Sequence, residues 1–173
     1  MNITIERASP CDAEEILNYL KQVGGETDNL TFGAEGIPFS VEDEAKYIAD
    51  MQNSRDDIML VAKESGRIVG IASLNRLPRR MSHRGDFGIS VAKQYWNRGI
   101  GGMLLTEIIK FAKHNNFGVI DLQVRSDNFA AIHLYEKFGF KKIGTHPAFH
   151  KVNDKNLSFD FMSLLFENAF VVF

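Results

Sequence analysis

Hydrophobic and polar positions along the chain follow two periods in turn. Ile3 and Ile5 alternate with polar neighbours over 2–7, the pattern of a short strand. Past Pro10, the residues Ile16, Leu17 and Leu20 recur at helical spacing, with Asp12 where an N-cap belongs. Ser40 with Asp43 reads as a capping box and opens a second helix through Ala45, Ile48 and Ala49 to about Met51. The apolar runs 58–62 and 67–74 are split by Lys63, Glu64, Ser65 and Gly66, which predicts a β-hairpin using the positive φ open to Gly66. Over 84–91, Phe87, Ile89 and Val91 face one way and Asp86, Gly88 and Ser90 the other. Ile100, Leu104, Ile108 and Ala112 lie four apart and, with Leu105 and Ile109, mark the buried stripe of a helix to about Asn115. A strand over 119–124 follows, then a helix capped among Ser126, Asp127 and Asn128 and stopped by Gly139. Residues 140–145 and 157–166 predict two last strands, separated by a polar loop around Asn153, Asp154 and Asn156. This order predicts an α/β domain, an α+β mixed sheet that begins as an antiparallel meander.

Composition narrows the function classes. The 173 residues fit one domain, 1–173, able to bury a core without disulfides or metal. Twenty basic and 22 acidic residues leave a net charge of −2, which argues against a protein that coats nucleic acid. The lone Cys11 cannot form an intramolecular disulfide or a cysteine-rich zinc site, and points to a reducing cytosol. No stretch approaches the ~18 apolar residues of a spanning helix, and MNITIERASP lacks the apolar core of a signal peptide. His146 and His150 have no partner at metal-ligand spacing, so no metal is expected. Residues 24–39 carry four glycines and no periodicity. So long a loop in a compact domain is often functional, the plain alternative being a mobile surface excursion. The terminal AFVVF offers a strand for a sheet edge, a contact for a second copy of the chain, or a frayed end.

Two segments carry candidate chemistry. Gly99, Gly101 and Gly102 lie between a strand end and a helix start, where unobstructed N–H groups and the helix dipole suit phosphate or pyrophosphate. Arg98 can add a charge-assisted bond to the same anion. The Gly-Lys-Ser/Thr ending of a nucleotide-triphosphate loop is missing, and the preceding hairpin meander disfavours a dinucleotide fold. Glycines that merely permit tight packing remain the structural alternative. In the second segment, Asn128, Ala131 and Tyr135 stand at offsets of three and four and line one helix side. Ala131 leaves room for a ligand to lie close, and Asp127 and Ser126 compete as the cap, which leaves the Asn128 amide free.

Together these segments resemble the GNAT superfamily of N-acetyltransferases, which use acetyl-CoA. Residues 91–102, VAKQYWNRGIGG, resemble the pyrophosphate motif Arg/Gln-x-x-Gly-x-Gly/Ala. Residues 128–140, NFAAIHLYEKFGF, resemble the motif Asn-x-x-Ala-x-x-Leu-Tyr-x-x-x-Gly-Phe. Trp96 stands where the first motif usually has Arg or Gln, leaving Arg98 to make the side-chain contact. The resemblance implies a three-layer fold whose central, mostly antiparallel sheet is splayed at the cofactor site. It implies that Ile89, Ser90 and Val91 offer backbone groups to the pantetheine arm, and that Arg98, Gly99, Ile100, Gly101 and Gly102 surround the pyrophosphate. Asn128 would bond the pantetheine amide, Ala131 would let the arm pass, and Lys137 would reach phosphate or stay solvated. Tyr135 would protonate the departing thiolate. The general base is open among His83, Asp86, Glu26, Asp28, Glu35 and a water, with loop 24–39 as candidate lid and Phe32 and Phe39 as its walls. His133 and Cys11 are expected outside the chemistry. The implied reaction is direct transfer from acetyl-CoA to a primary amine of a small molecule, with no nucleic-acid or membrane partner. The alternatives are a protein N-terminus or lysine as acceptor, or a non-catalytic acyl-CoA-binding module.

Overall fold

A computed structural model describes residues 2–167, so AFVVF lies outside the described residues. The elements are β1 (Ile3–Arg7), α1 (Ala13–Glu26), α2 (Val41–Gln52), β2 (Asp57–Glu64), β3 (Arg67–Arg76), β4 (Arg84–Val91), α3 (Ile100–His114), β5 (Val119–Arg125), α4 (Phe129–Lys137), β6 (Lys141–Val152) and β7 (Lys155–Leu165). This is the order that periodicity predicts. The strands follow the order β1-β2-β3-β4-β5-β7-β6. The ladders β1–β2, β2–β3, β5–β7 and β6–β7 are antiparallel. Strands β4 and β5 pair in parallel over Arg84–Asp86 against Val119–Asp121, the first three residues of each.

The described residues pack as two compact units, 2–75 with Gly88–Phe111, and Arg76–Phe87 with 112–167. In the first, α1 and α2 cover one sheet face. Ile16, Tyr19, Val23 and Ile48 are buried against Val61 and Ile71. Gly70 turns to the other face, where an added Cβ would meet Leu104 and Ile100 of α3 at 3.2 and 3.3 Å. The predicted α3 stripe is that contact: Ile100, Leu104, Leu105 and Ile108 are at most 1% exposed. The hairpin turn is Ser65-Gly66, with φ of 51° and 81°, which matches the right-handed twist of its strands. The capping box forms as expected, Asp43 N–H donating to Ser40 Oγ at 3.0 Å. Asp12 stands at the N-cap, but its carboxylate accepts instead from Ser9 N–H and Lys63 Nζ, each at 2.8 Å.

Two expectations change. Residues 24–26 are the last turn of α1, so the loop begins at Thr27. That loop is docked on α1: a Cβ at Gly24 would lie 2.0 Å from the Gly33 carbonyl oxygen. Leu30 and Phe32 pack on the same core. In the second unit, β6 runs well past Thr145 and its turn is only Asn153-Asp154, both at positive φ. Pro147 hides that continuation in the sequence. It sits where the ladder slips between His146 and His150, and a strand tolerates proline at such a bulge.

Candidate functional site

In the first unit, the end of β4 and the start of α3 assemble a backbone anion site. Met103 N–H donates to Gly99 O at 3.1 Å, which makes Gly99 the residue that begins the helical ladder. The N–H groups of Ile100, Gly101 and Gly102 therefore have no carbonyl one turn back, at the positive end of a 15-residue helix. Gly99 takes φ +79° and a Cβ there would meet nothing, so its glycine is required by conformation and leaves the approach open. Ile100 itself is core, and only its backbone is available. The Arg98 guanidinium lies over the Tyr95 ring at 4.9 Å, which holds it beside this loop. Trp96 plays a different part. Its Nε1–H donates to Val91 O at 2.7 Å and closes the turn that leaves the strand.

Helix α1 grips the same segment, which sequence reading missed. The Tyr19 hydroxyl and Ser90 Oγ are 3.1 Å apart, and Lys93 N–H donates to the Glu26 carboxylate at 2.7 Å. Glu26 also accepts from Gln22 at 2.8 Å. Glu26, one of the carboxylates open as base, thus holds a backbone N–H from the end of a helix. Tyr19 sits in the apolar stripe of α1, so periodicity reads it as core, and only the tertiary contact reveals its partner. Burial pushes its phenol well up, against the lowering effect of the Ser90 bond. Gly88 leaves the strand face open, with Ser73 Oγ 3.6 Å from where its Cβ would be.

In the second unit, α4 carries the other motif. The Asn128 side-chain oxygen accepts from Ala131 N–H at 3.3 Å and caps the helix. This corrects the expectation that Ser126 or Asp127 caps it and leaves the Asn128 amide wholly free. Ser126 donates to Asp160 at 2.8 Å and Asp127 pairs with Arg125 at 2.6 Å, so neither is available. Only the NH2 end of Asn128 remains for a ligand. Ala131 is half-buried, and Lys137 and His133 are exposed. Tyr135 is buried among Phe87, edge-on at 6.3 Å, and Phe140 at 5.8 Å. Burial alone pushes its phenol well up. Asp86 is pushed up by desolvation and by Asp121, opposed by the Gln123 amide at 3.3 Å. Glu35 moves the other way, held down by the N–H groups of Gly33 and its own backbone. Asp28, Glu35 and Cys11 are exposed, and His83 uses its carbonyl to hold Gly118 and Val119.

The acetyltransferase (GNAT) family model matches residues 28–140, more than half of the chain and both motifs. The chain belongs to the GNAT family. That family is one of acetyl-CoA-dependent acetyltransferases. The N-alpha-acetyltransferase RimI of Mycobacterium tuberculosis is 38% identical over 93 residues, 53% of this chain and 57% of the relative. The L-amino acid N-acetyltransferase AaaT of Escherichia coli is 39% identical over 89 residues, 50% of this chain and 54% of the relative. The chain therefore spans a little over half the length of these two curated relatives. A GNAT-family acetyltransferase structure from Streptococcus pneumoniae superposes with a TM-score of 0.92 at 32% identity, covering 95% of this chain and all of that one. These matches bear out the expected fold and family, and leave the acceptor unnamed. No helix among the described residues is long and apolar enough to cross a membrane.

Proposed function

We propose that the chain transfers the acetyl group of acetyl-CoA directly to a primary amine of a small-molecule acceptor. The observation that carries this is the glycine-led start of α3, whose three N–H groups at a positive helix end suit the pyrophosphate and need no basic surface. Arg98 adds charge, and the backbone of Ile89, Ser90 and Val91 receives the pantetheine arm. Asn128 donates its NH2 group to that arm, Ala131 gives it passage and Lys137 reaches phosphate from the end of α4.

Proximity of amine and thioester supplies much of the rate. Tyr135 acts at the departing sulfur. Because burial makes its phenol a weaker acid than usual, it stays protonated and stabilises the thiolate by donating a hydrogen bond as the C–S bond breaks. Asp86 serves as proton acceptor for the amine, its carboxyl more basic than an ordinary aspartate. A second reading, acetylation of a protein N-terminus, draws on RimI-type relatives. A relative named as an L-amino acid N-acetyltransferase supports the smaller acceptor.

Calorimetric titration with acetyl-CoA, then free-thiol release across a panel of amines and N-terminal peptides, tests both steps. Saturable binding followed by amine-dependent release is expected. No binding at millimolar acetyl-CoA overturns the reading, binding without release on any acceptor leaves a non-catalytic module, and release on peptides alone favours the second reading.

A further inference from the structure

The first turn of α2 holds a group that neither motif uses. Glu44 is 1% exposed, and both carboxylate oxygens are out of solvent contact without a hydrogen-bond partner among the described residues. Native structures carry few such groups, because burying a polar atom unpaired is costly. Glu44 occupies the inward stripe of the helix, one turn before Ile48 and two before Met51. Desolvation pushes its carboxyl above the usual range. Tyr47 is three residues on and shares that side of the helix. Its phenol is raised by desolvation and then by the charges of Asp57 and Glu44, against the lowering effect of the Asn75 bond. A long bond, 3.5 Å to Asn75 Oδ1, holds the Tyr47 hydroxyl. Phe39 meets the Tyr47 ring edge-on at 6.3 Å, and the two rings are 46% and 37% exposed.

Charge around this turn is lopsided. Residues 26–57 hold nine acidic side chains and two basic ones, while the rest of the chain holds 13 acidic and 18 basic. A field of that sign gathers cations, and aromatic faces at the entrance favour them further.

We propose that Glu44 is the counter-charge for a second cationic group on the acceptor, so that the preferred substrates are diamines and other amines bearing a further ammonium or guanidinium. Tyr47 and Phe39 turn aside to admit that group and line its entrance. The cation supplies the partner that Glu44 lacks, and its binding energy helps to position the reacting amine. This rests on the acetyltransfer reading above.

Steady-state thiol release with putrescine against butylamine, on the full chain and on Glu44→Gln, tests it. In the unsubstituted protein kcat/KM for putrescine exceeds that for butylamine by about tenfold, the scale of one partly desolvated charge pair. In Glu44→Gln that ratio falls toward unity through KM for putrescine, with the acetyl-CoA affinity retained. Equal use of the two amines by the unsubstituted protein overturns the proposal, as does an unchanged ratio in Glu44→Gln. If no amine releases thiol, the acetyltransfer reading fails and melting curves decide the Glu44 site separately. A Tm raised by putrescine only when Glu44 is present supports it, and no rise in either protein overturns it.

Discussion

Tyr19 and Tyr135 are buried tyrosines in different units, and burial pushes both phenols well above their ordinary value. Their surroundings differ. Tyr19 ends on Ser90 Oγ at 3.1 Å and is committed to the protein. Tyr135 has an aromatic collar of Phe87 and Phe140, with no side-chain hydrogen bond offsetting its shift among the described residues. Desolvation sets proton affinity in both places, but the partner decides the role: a phenol already bonded positions a strand, and one left unbonded can serve a ligand. The regions are also tied down differently. Around Tyr19 the ties are a neutral hydroxyl pair and a carboxylate on a backbone N–H. The approach to α4 hangs on Asp160, which takes Ser126 and Thr145 at 2.8 Å and Lys142 at 2.9 Å.

The sharpest test of this contrast is Tyr135→Phe. Turnover is expected to fall about 100-fold or more, the scale of one lost hydrogen-bond donor to charge that develops in the transition state, with little change in acetyl-CoA affinity. Unchanged kcat on a good acceptor removes Tyr135 from the chemistry and erases the contrast.

Gly24→Ala probes the packing on the Tyr19 side. Its Cβ would stand 2.0 Å from a loop carbonyl, so the docked loop must shift, at a cost of about 1–3 kcal/mol in chemical denaturation. An unaltered midpoint means the loop yields freely.

Acid separates the two regions by charge. Burial raises the Asp160 carboxyl, but the bonds from Lys142, Thr145 and Ser126 outweigh it and hold it below the usual range. A depressed carboxyl contributes stability that is present above its unfolded pKa and is lost as pH falls through the folded value. Melting curves of Asp160→Asn are expected to lose about 1–3 kcal/mol at neutral pH and to flatten on the acid side. A parallel acid limb in the two proteins shows that Asp160 does not anchor α4.

Tyr19→Phe is the smallest change. It deletes one hydrogen bond and costs about 0.5–1.5 kcal/mol of stability, with kcat within a few-fold of normal. A loss of turnover rivalling that of Tyr135→Phe reverses the assignment of roles.

The element order, the α3 stripe, the Ser40–Asp43 box and both family motifs were legible in the chain, because each rests on contacts a few residues apart. Glu44 left a faint mark, a carboxylate in the apolar stripe with Ile48 and Met51, which periodicity absorbs as an irregularity. The Asn128 cap was misjudged because Ser126 and Asp127 are equally good caps locally. Asp160 and Arg125 take those two away, and Asp160 acts from a distant strand.

Local spacing therefore determined the glycine-led helix start, since backbone N–H groups at a helix end need no distant partner. Tertiary structure decided the rest. It put Tyr19 on Ser90, turned Glu26 from a loop acid into an anchor for Lys93 N–H and left Glu44 buried without a partner among the described residues. Bonding and burial between residues dozens of positions apart are properties of packing, and no window of sequence contains them.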